Sequence, residues 1–162
     1  MNKKEMEEKN CMINGRRHGY WEEYYDNGQL SRKGHYRNDK RHGYWESYYP
    51  NGQLYYKGHY RNDKQHGYWE HYYGSDQLGL KGHYRNGKQH GYWEFYNADG
   101  QLAGKDNYRN GKTHGYSQHY YDNGQLVFKG SFYNGIKHGL WKYYSKDGKL
   151  TKQEFYCEAT HE

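Results

Sequence analysis

A chain of 162 residues ordinarily makes one globular domain, but here only 32% of residues are hydrophobic and 24 are tyrosine. That excludes a conventional two-layer aliphatic core, and the 20% aromatic content excludes a disordered chain. No apolar run approaches the roughly 18 residues of a membrane span, and a net charge of +6 is well short of a dedicated nucleic-acid protein.

The chain opens on MNKKEMEEKN, which carries no hydrophobic signal segment, so a cytoplasmic location is expected. Residues 1–11 read as a charged segment or cap, with a short helix or disorder over 1–10. Residues 12–156 read as one repeat domain and 157–162 as a tail. Cys11 and Cys157 stand at opposite ends of the array. In a sheet of about 12 strands they are about 50 Å apart, beyond disulfide reach, which fits a reducing compartment.

From residue 18 onward one pattern governs the chain. His-Gly begins at 18, 42, 66, 90, 114 and 138, a period of 24 without insertion or deletion. Leucine recurs at 30, 54, 78, 102, 126 and 150, and an aromatic at 36, 60, 84, 108, 132 and 156. Such a register means a repeat architecture.

In the first unit, GYWEEYY (19–25) is an alternating, aromatic-rich strand. DNGQ (26–29) holds Asn27-Gly28, the strongest short hairpin signal, and LSRKGHYR (30–37) is the return strand. Asn38-Asp39 turns the chain into the next unit, and later copies place Asn-Gly there, as at Asn86-Gly87. With Asn27-Gly28 as a two-residue loop, Trp21 faces Gly34, Glu22 faces Lys33, Tyr20 faces His35 and Tyr25 faces Leu30. The Trp21 ring is expected to cover Gly34, that of Trp45 Gly58 and that of Trp69 Gly82. One face then carries Trp21, Tyr25, Leu30, Gly34 and Tyr36; the other carries Tyr20, Glu22, Tyr24, Lys33, His35 and Arg37. A second turn of two residues pairs His35 with His42, whereas three residues and a bulge shift that pairing.

The unit RHGYWESYYPNGQLYYKGHYRNDK (41–64) resembles the bacterial variant of the MORN (membrane occupation and recognition nexus) repeat. The likeness lies in the His-Gly-x-Trp segment, the Tyr-x-Asn-Gly-Gln-Leu turn and the Lys-Gly-x-Tyr return strand, and it extends over 12–156. It implies an all-β fold: an open, single-layer, twisted antiparallel sheet of about 12–13 strands built from 24-residue hairpins, with an elongated, often groove-like surface. It also implies a scaffold or interaction module. Some eukaryotic members of that family are linked to phosphoinositides, and bacterial members include predicted antitoxins.

The 12 histidines invite a metal reading, but no cysteine or carboxylate joins them at ligand spacing. Tyrosine hydrogen bonding and turn support account for them, and neither metal nor cofactor is expected. No phosphate loop, nucleophile elbow or zinc-protease motif is present, so no catalytic residue is assigned and no enzyme is expected.

Arg37, Lys40, Arg61, Lys64, Arg85, Lys88, Arg109 and Lys112 all fall at the return turns and should line one edge. Asp26, Asp76, Asp99, Asp122 and Asp147 fall at the opposite turns. The repeat itself breaks in the fourth and fifth units. Asn97 stands where the first unit has Tyr25, Gly104 where it has Arg32, Asp106 where it has Gly34, and Ser117 where it has Trp21. These positions fall on the aromatic face as a notch holding one carboxylate.

The expected function is a binding module, scaffold-like or antitoxin-like, whose partner is another protein. Trp21, Trp45, Trp69, Trp93 and Trp141 are expected to contact that partner, with Asp106 and Ser117 setting specificity. The alternative is an anionic ligand (nucleotide, phosphoinositide headgroup or single-stranded RNA) at Arg37, Arg61, Arg85, Arg109, Lys64 and Lys88. Unpaired edge strands call for terminal caps or a homodimer.

Overall fold

The computed structural model describes residues 9–157, and every regular element among them is a strand. A small hairpin, β1 (Met12–Ile13) with β2 (Arg16–Arg17), precedes the main sheet. The sheet's first strands are β3 (Gly19–Tyr24), β4 (Leu30–Arg37), β5 (Lys40–Tyr48), β6 (Leu54–Arg61), β7 (Lys64–Tyr72) and β8 (Leu78–Arg85). They are followed by β9 (Lys88–Tyr96), β10 (Leu102–Arg109), β11 (Lys112–Tyr120), β12 (Leu126–Tyr133), β13 (Ile136–Tyr144) and β14 (Leu150–Tyr156). These 12 strands are antiparallel and lie in sequence order, and the sheet is open because β3 and β14 are not partners. The described residues divide into two compact units. The first runs to Gln77 and adds Tyr84–Gly87; the second takes Leu78–His83 and everything from Lys88.

The hairpin loop differs from the expected one, yet the register survives. Gly28 N–H donates to the Tyr25 carbonyl (2.9 Å) and Tyr25 N–H to the Gln29 carbonyl (2.8 Å). The loop is therefore three residues, Asp26 to Gly28, and within it only Gly28 has a left-handed φ (+81°). Asn27 instead spends its side chain, accepting from Gln29 N–H at 3.0 Å and donating to the Pro50 carbonyl at 3.0 Å. A bulge at Ser31 then adds one residue to the return strand, so Tyr24 rather than Tyr25 faces Leu30. The extra loop residue and the bulge cancel, and Trp21 faces Gly34, Glu22 faces Lys33 and Tyr20 faces His35 as expected.

The return turn is the two-residue kind, with Asn38 (φ 52°) and Asp39 (φ 66°) both left-handed. His35 accordingly pairs with His42. Past that pair the strand bulges at Gly43 (φ 74°), which is why glycine follows histidine in every unit. Two residues are inserted, so side-chain parity is kept and Trp45 faces Gly34 across β4 and β5.

That second pairing decides where the tryptophans lie. A Cβ on Gly34 would sit 2.3 Å from Cδ2 of Trp45, and one on Gly58 2.3 Å from Cδ2 of Trp69. Each ring therefore covers the glycine before it in sequence, and the expected covering of Gly58 by Trp45 is corrected. The indole N–H fixes the ring by donating to the carbonyl one residue past that glycine: Trp45 to His35 (3.0 Å), Trp69 to His59 (3.2 Å). In the second unit Trp93 bonds to His83 (3.2 Å) and Trp141 to Ser131 (3.0 Å). Tyr36 and Tyr60 meet Trp45 and Trp69 edge-on, both at 4.9 Å between centroids. With glycine beneath and aromatics beside, these four indoles are 0–1% exposed.

The N-terminal edge is capped. Asn10 N–H donates to the Tyr20 carbonyl (2.9 Å), and its side-chain amide bonds both the N–H and the carbonyl of Glu22. The helix or disorder expected over 1–10 lies mostly outside the described residues. Neither Cys11 nor Cys157 is in a disulfide.

Candidate functional site

The burial just described removes Trp45, Trp69, Trp93 and Trp141 from direct contact with a partner. They were expected to be surface anchors; glycine-floored packing consumes them instead. Trp21, with no preceding glycine to cover, is half-buried and bonds to its own unit's His18 carbonyl (3.1 Å).

The break in the repeat is filled rather than notched. Asp106 occupies the floor position and Ser117 the ring position that elsewhere make a glycine–tryptophan pair, and the two are Cα partners. Ser117 Oγ donates to Asp106 Oδ1 at 2.5 Å. His119, which the sequence reading missed, places Nε2 3.2 Å from Asp106 Oδ2. Its imidazole lies over Gly104, where a Cβ would come within 2.7 Å, and stacks on Phe128 at 4.7 Å. Asp106 is 7% exposed and Ser117 1%, which leaves little of either side chain for a partner to touch. The carboxylate also stands between hydroxyl and imidazole, whereas a serine nucleophile needs the imidazole between them. The cluster is a polar substitute for a packed ring.

The opposite face repeats one charged unit. Glu46 accepts from Tyr44 (3.1 Å) and Tyr48 (2.5 Å) and pairs with Lys33 from the preceding strand (2.8 Å). Glu70 does the same with Tyr68 (3.0 Å), Tyr72 (2.6 Å) and Lys57 (2.7 Å). Burial works against the ionised form of Glu46, but the hydrogen bonds from Lys33 and Tyr48 outweigh it and hold the carboxyl below its ordinary range. Burial, reinforced by Glu46, pushes the Tyr44 hydroxyl up to about 12. Tyr44 and Tyr68 in the first unit stay exposed while tethered in this way. Tyr92 and Tyr116 are exposed at the same repeat position in the second unit.

Arg37, Lys40, Arg61, Lys64, Arg85, Lys88, Arg109 and Lys112 are all exposed at the return turns. Near the first of these turns Arg16, Arg37, Asn38, Lys40 and Asn62 line a shallow depression. Among the described residues no group of three or more His, Cys, Asp or Glu side chains is placed to hold a metal ion. No helix among them is long and apolar enough to cross a membrane.

Among known families, the model of the MORN repeat variant fits residues 17–38, 41–62, 89–110, 113–134 and 137–158. No curated protein matches the chain.

Proposed function

Since the chain belongs to the MORN repeat variant family, we propose that it is a non-enzymatic protein-binding module whose partner meets the polar, tyrosine-rich face. Repeats of this family are generally protein- or membrane-binding modules and typically not enzymes. A scaffold or a neutralising antitoxin in the cytoplasm, alone or as a homodimer, needs such a surface and no reaction centre.

One observation carries the reading. Four of the five tryptophans are spent on packing, while exposed tyrosines recur at one repeat position of the other face, the hydroxyls of Tyr44 and Tyr68 held by Glu46 and Glu70. Tyrosine offers large, rigid contact area at low conformational cost, and tethering lowers that cost further.

The alternative, an anionic ligand at the return-turn edge, is supported by the basic depression at Arg16, Arg37 and Lys40. Photo-crosslinking in the native cell separates the two. Benzoylphenylalanine in place of Tyr68 should give a discrete protein adduct, while the same group in place of Phe95 on the aromatic face should not. An adduct from Phe95 alone, or none at all, would end the polar-face reading. Loss of the Tyr68 adduct on Arg61→Ala with Arg85→Ala would move the site to the edge.

A further inference from the structure

The charge pattern of the polar face is not kept to the end of the chain. In the first unit lysine and glutamate alternate across the strands: Lys33 with Glu46, then Lys57 with Glu70. The second unit begins likewise with Lys81 and Glu94 (2.8 Å). From there the lysines persist and the carboxylates stop. Lys105, Gln118, Lys129, Lys142 and Gln153 are successive cross-strand partners on β10 to β14. Lys105 reaches Glu94 only at 3.7 Å, and that carboxylate already holds Lys81. Lys129 and Lys142 face one another directly, a like-charge pair that destabilises a sheet. In this unit four lysines of the row stand against a single glutamate.

The tyrosine cage nevertheless remains. Around Gln118, Tyr116 accepts from Gln118 Nε2 (2.9 Å) and Tyr120 donates to Gln118 Oε1 (2.9 Å), where other units hold a carboxylate. Two residues along β13 from Lys142, the polar face turns apolar. Leu140 and Phe155 are Cα partners there, 47% and 72% exposed, at positions where the second unit of the repeat has Tyr44 and His59. Along this row of the polar face the C-terminal strands thus carry no carboxylate of their own, and beside it they expose apolar side chains next to one another.

We propose that the polar face of β10–β14 docks an extended acidic segment of a partner protein, its carboxylates over Lys105, Lys129 and Lys142 and an apolar side chain on Leu140 and Phe155. Carboxylate is the ligand because the intact units show what this lysine–tyrosine arrangement holds: Glu46, Glu70 and Glu94. The dimensions agree. The row from Lys105 to Lys142 spans three strand spacings, about 14 Å, and three acidic residues at alternate positions of an extended chain span the same length, the middle one falling about 2–3 Å from the level of Lys129, within the reach of a flexible lysine side chain. The inference rests on the protein-binding reading only in taking the occupant to be a protein.

The test uses the full chain and a fluorescein-labelled octapeptide in which glutamate and threonine alternate, ending in leucine. Fluorescence polarisation should show saturable binding that weakens with salt. Gln118→Glu with Lys142→Glu restores the repeat's own carboxylates, so it should keep or raise the unfolding midpoint and weaken peptide binding at least tenfold. Leu140→Tyr with Phe155→His restores the repeat's other pair and should weaken it severalfold; Lys129→Ala guards against a folding artefact. Undetectable binding to the natural chain, or unaltered binding to the restored variants, overturns the proposal. So does tighter binding to phosphatidylserine vesicles or to a single-stranded oligonucleotide, either of which would make the occupant something other than an acidic peptide. The Tyr68 crosslink lies outside this row, so its adduct would survive the failure of the acidic-segment idea.

Discussion

Gly34 lies under the indole of Trp45, so close that a Cβ on the glycine would come within 2.3 Å of ring carbon Cδ2. The same contact joins Gly58 to Trp69, Gly82 to Trp93 and Gly130 to Trp141. Each tryptophan thereby seals its own hairpin onto the one before it, which is the nearest-neighbour coupling that stabilises repeat proteins.

Gly58→Ala therefore forces a methyl into a ring that has nowhere to go, and should destabilise by about 1–3 kcal/mol. Trp69→Ala should cost about 3–5 kcal/mol. Once the ring is gone the methyl has space, so the double variant should unfold close to Trp69→Ala alone. Urea denaturation of the three variants measures this, and additive losses would show that the ring does not rest on the glycine.

Asp106 and Ser117 make the reciprocal case. Asp106→Gly strands the buried Ser117 hydroxyl without its acceptor, and Ser117→Trp drives an indole onto a carboxylate; each alone should cost about 1–3 kcal/mol. Together they rebuild the pair present at Gly130 and Trp141, and stability should return to at least that of the natural chain. Partner affinity should not change, because both natural side chains are buried. A stable double variant with weakened binding would return Asp106 and Ser117 to the role expected from the sequence.

Acid should unfold the first unit in two steps. Burial holds the His71 imidazole below its ordinary value of 6.5, and its Nε2 has no hydrogen-bond partner. The unfolded chain then takes up a proton that the folded one refuses, so stability is level above 6.5 and falls as pH drops through that value. Glu46 and Glu70 are also held below their ordinary value, each against its own burial by lysine and tyrosine hydrogen bonds. Their contribution is present above about 4.5 and is lost as pH falls below it. His71→Phe, the residue found at Phe95 one period later, should abolish the upper step and leave the lower one. Denaturation midpoints at pH 7.5, 5.5 and 3.5 separate the steps, and an upper step that persists in His71→Phe would assign it elsewhere.

Much of this was legible in the sequence, and the failures have specific causes. The 24-residue period and the alternation around Trp21 and Gly34 were enough for strand order and for the pairs Trp21–Gly34, Glu22–Lys33 and Tyr20–His35, but not for the pairing of Leu30. Loop length at Asn27-Gly28 was misread because a compensating bulge at Ser31 leaves the downstream register unchanged. The ring direction was misread because Trp45 is a Cα partner of both Gly34 and Gly58, and cross-strand pairing cannot choose between them. The clue was present: glycine and tryptophan recur 11 residues apart, and Asp106 and Ser117 depart from the pattern at that same spacing. The lysine row was missed because Gln118 and Lys142 look like drift until their strands lie side by side.

The capped edge gives the last prediction. β3 leaves its outer backbone groups unpaired, the usual liability of an edge strand. Asn10 meets them as a neighbouring strand would: its Oδ1 accepts from Glu22 N–H at 2.9 Å and its Nδ2 donates to the Glu22 carbonyl at 3.2 Å. It does so from a left-handed backbone, φ +60°, which asparagine tolerates and alanine does not. Two effects are therefore separable by substitution. Asn10→Gly removes the amide but suits the backbone, and should cost only the side-chain hydrogen bonds, about 1 kcal/mol net. Asn10→Ala removes the amide and strains the backbone, and should cost about 1–2 kcal/mol more. In both variants the Glu22 amide should lose protection from hydrogen exchange while amides of β5 keep theirs. Equal losses for glycine and alanine would show that backbone conformation plays no part. A Glu22 amide still protected in Asn10→Gly would show that something other than this side chain closes the edge.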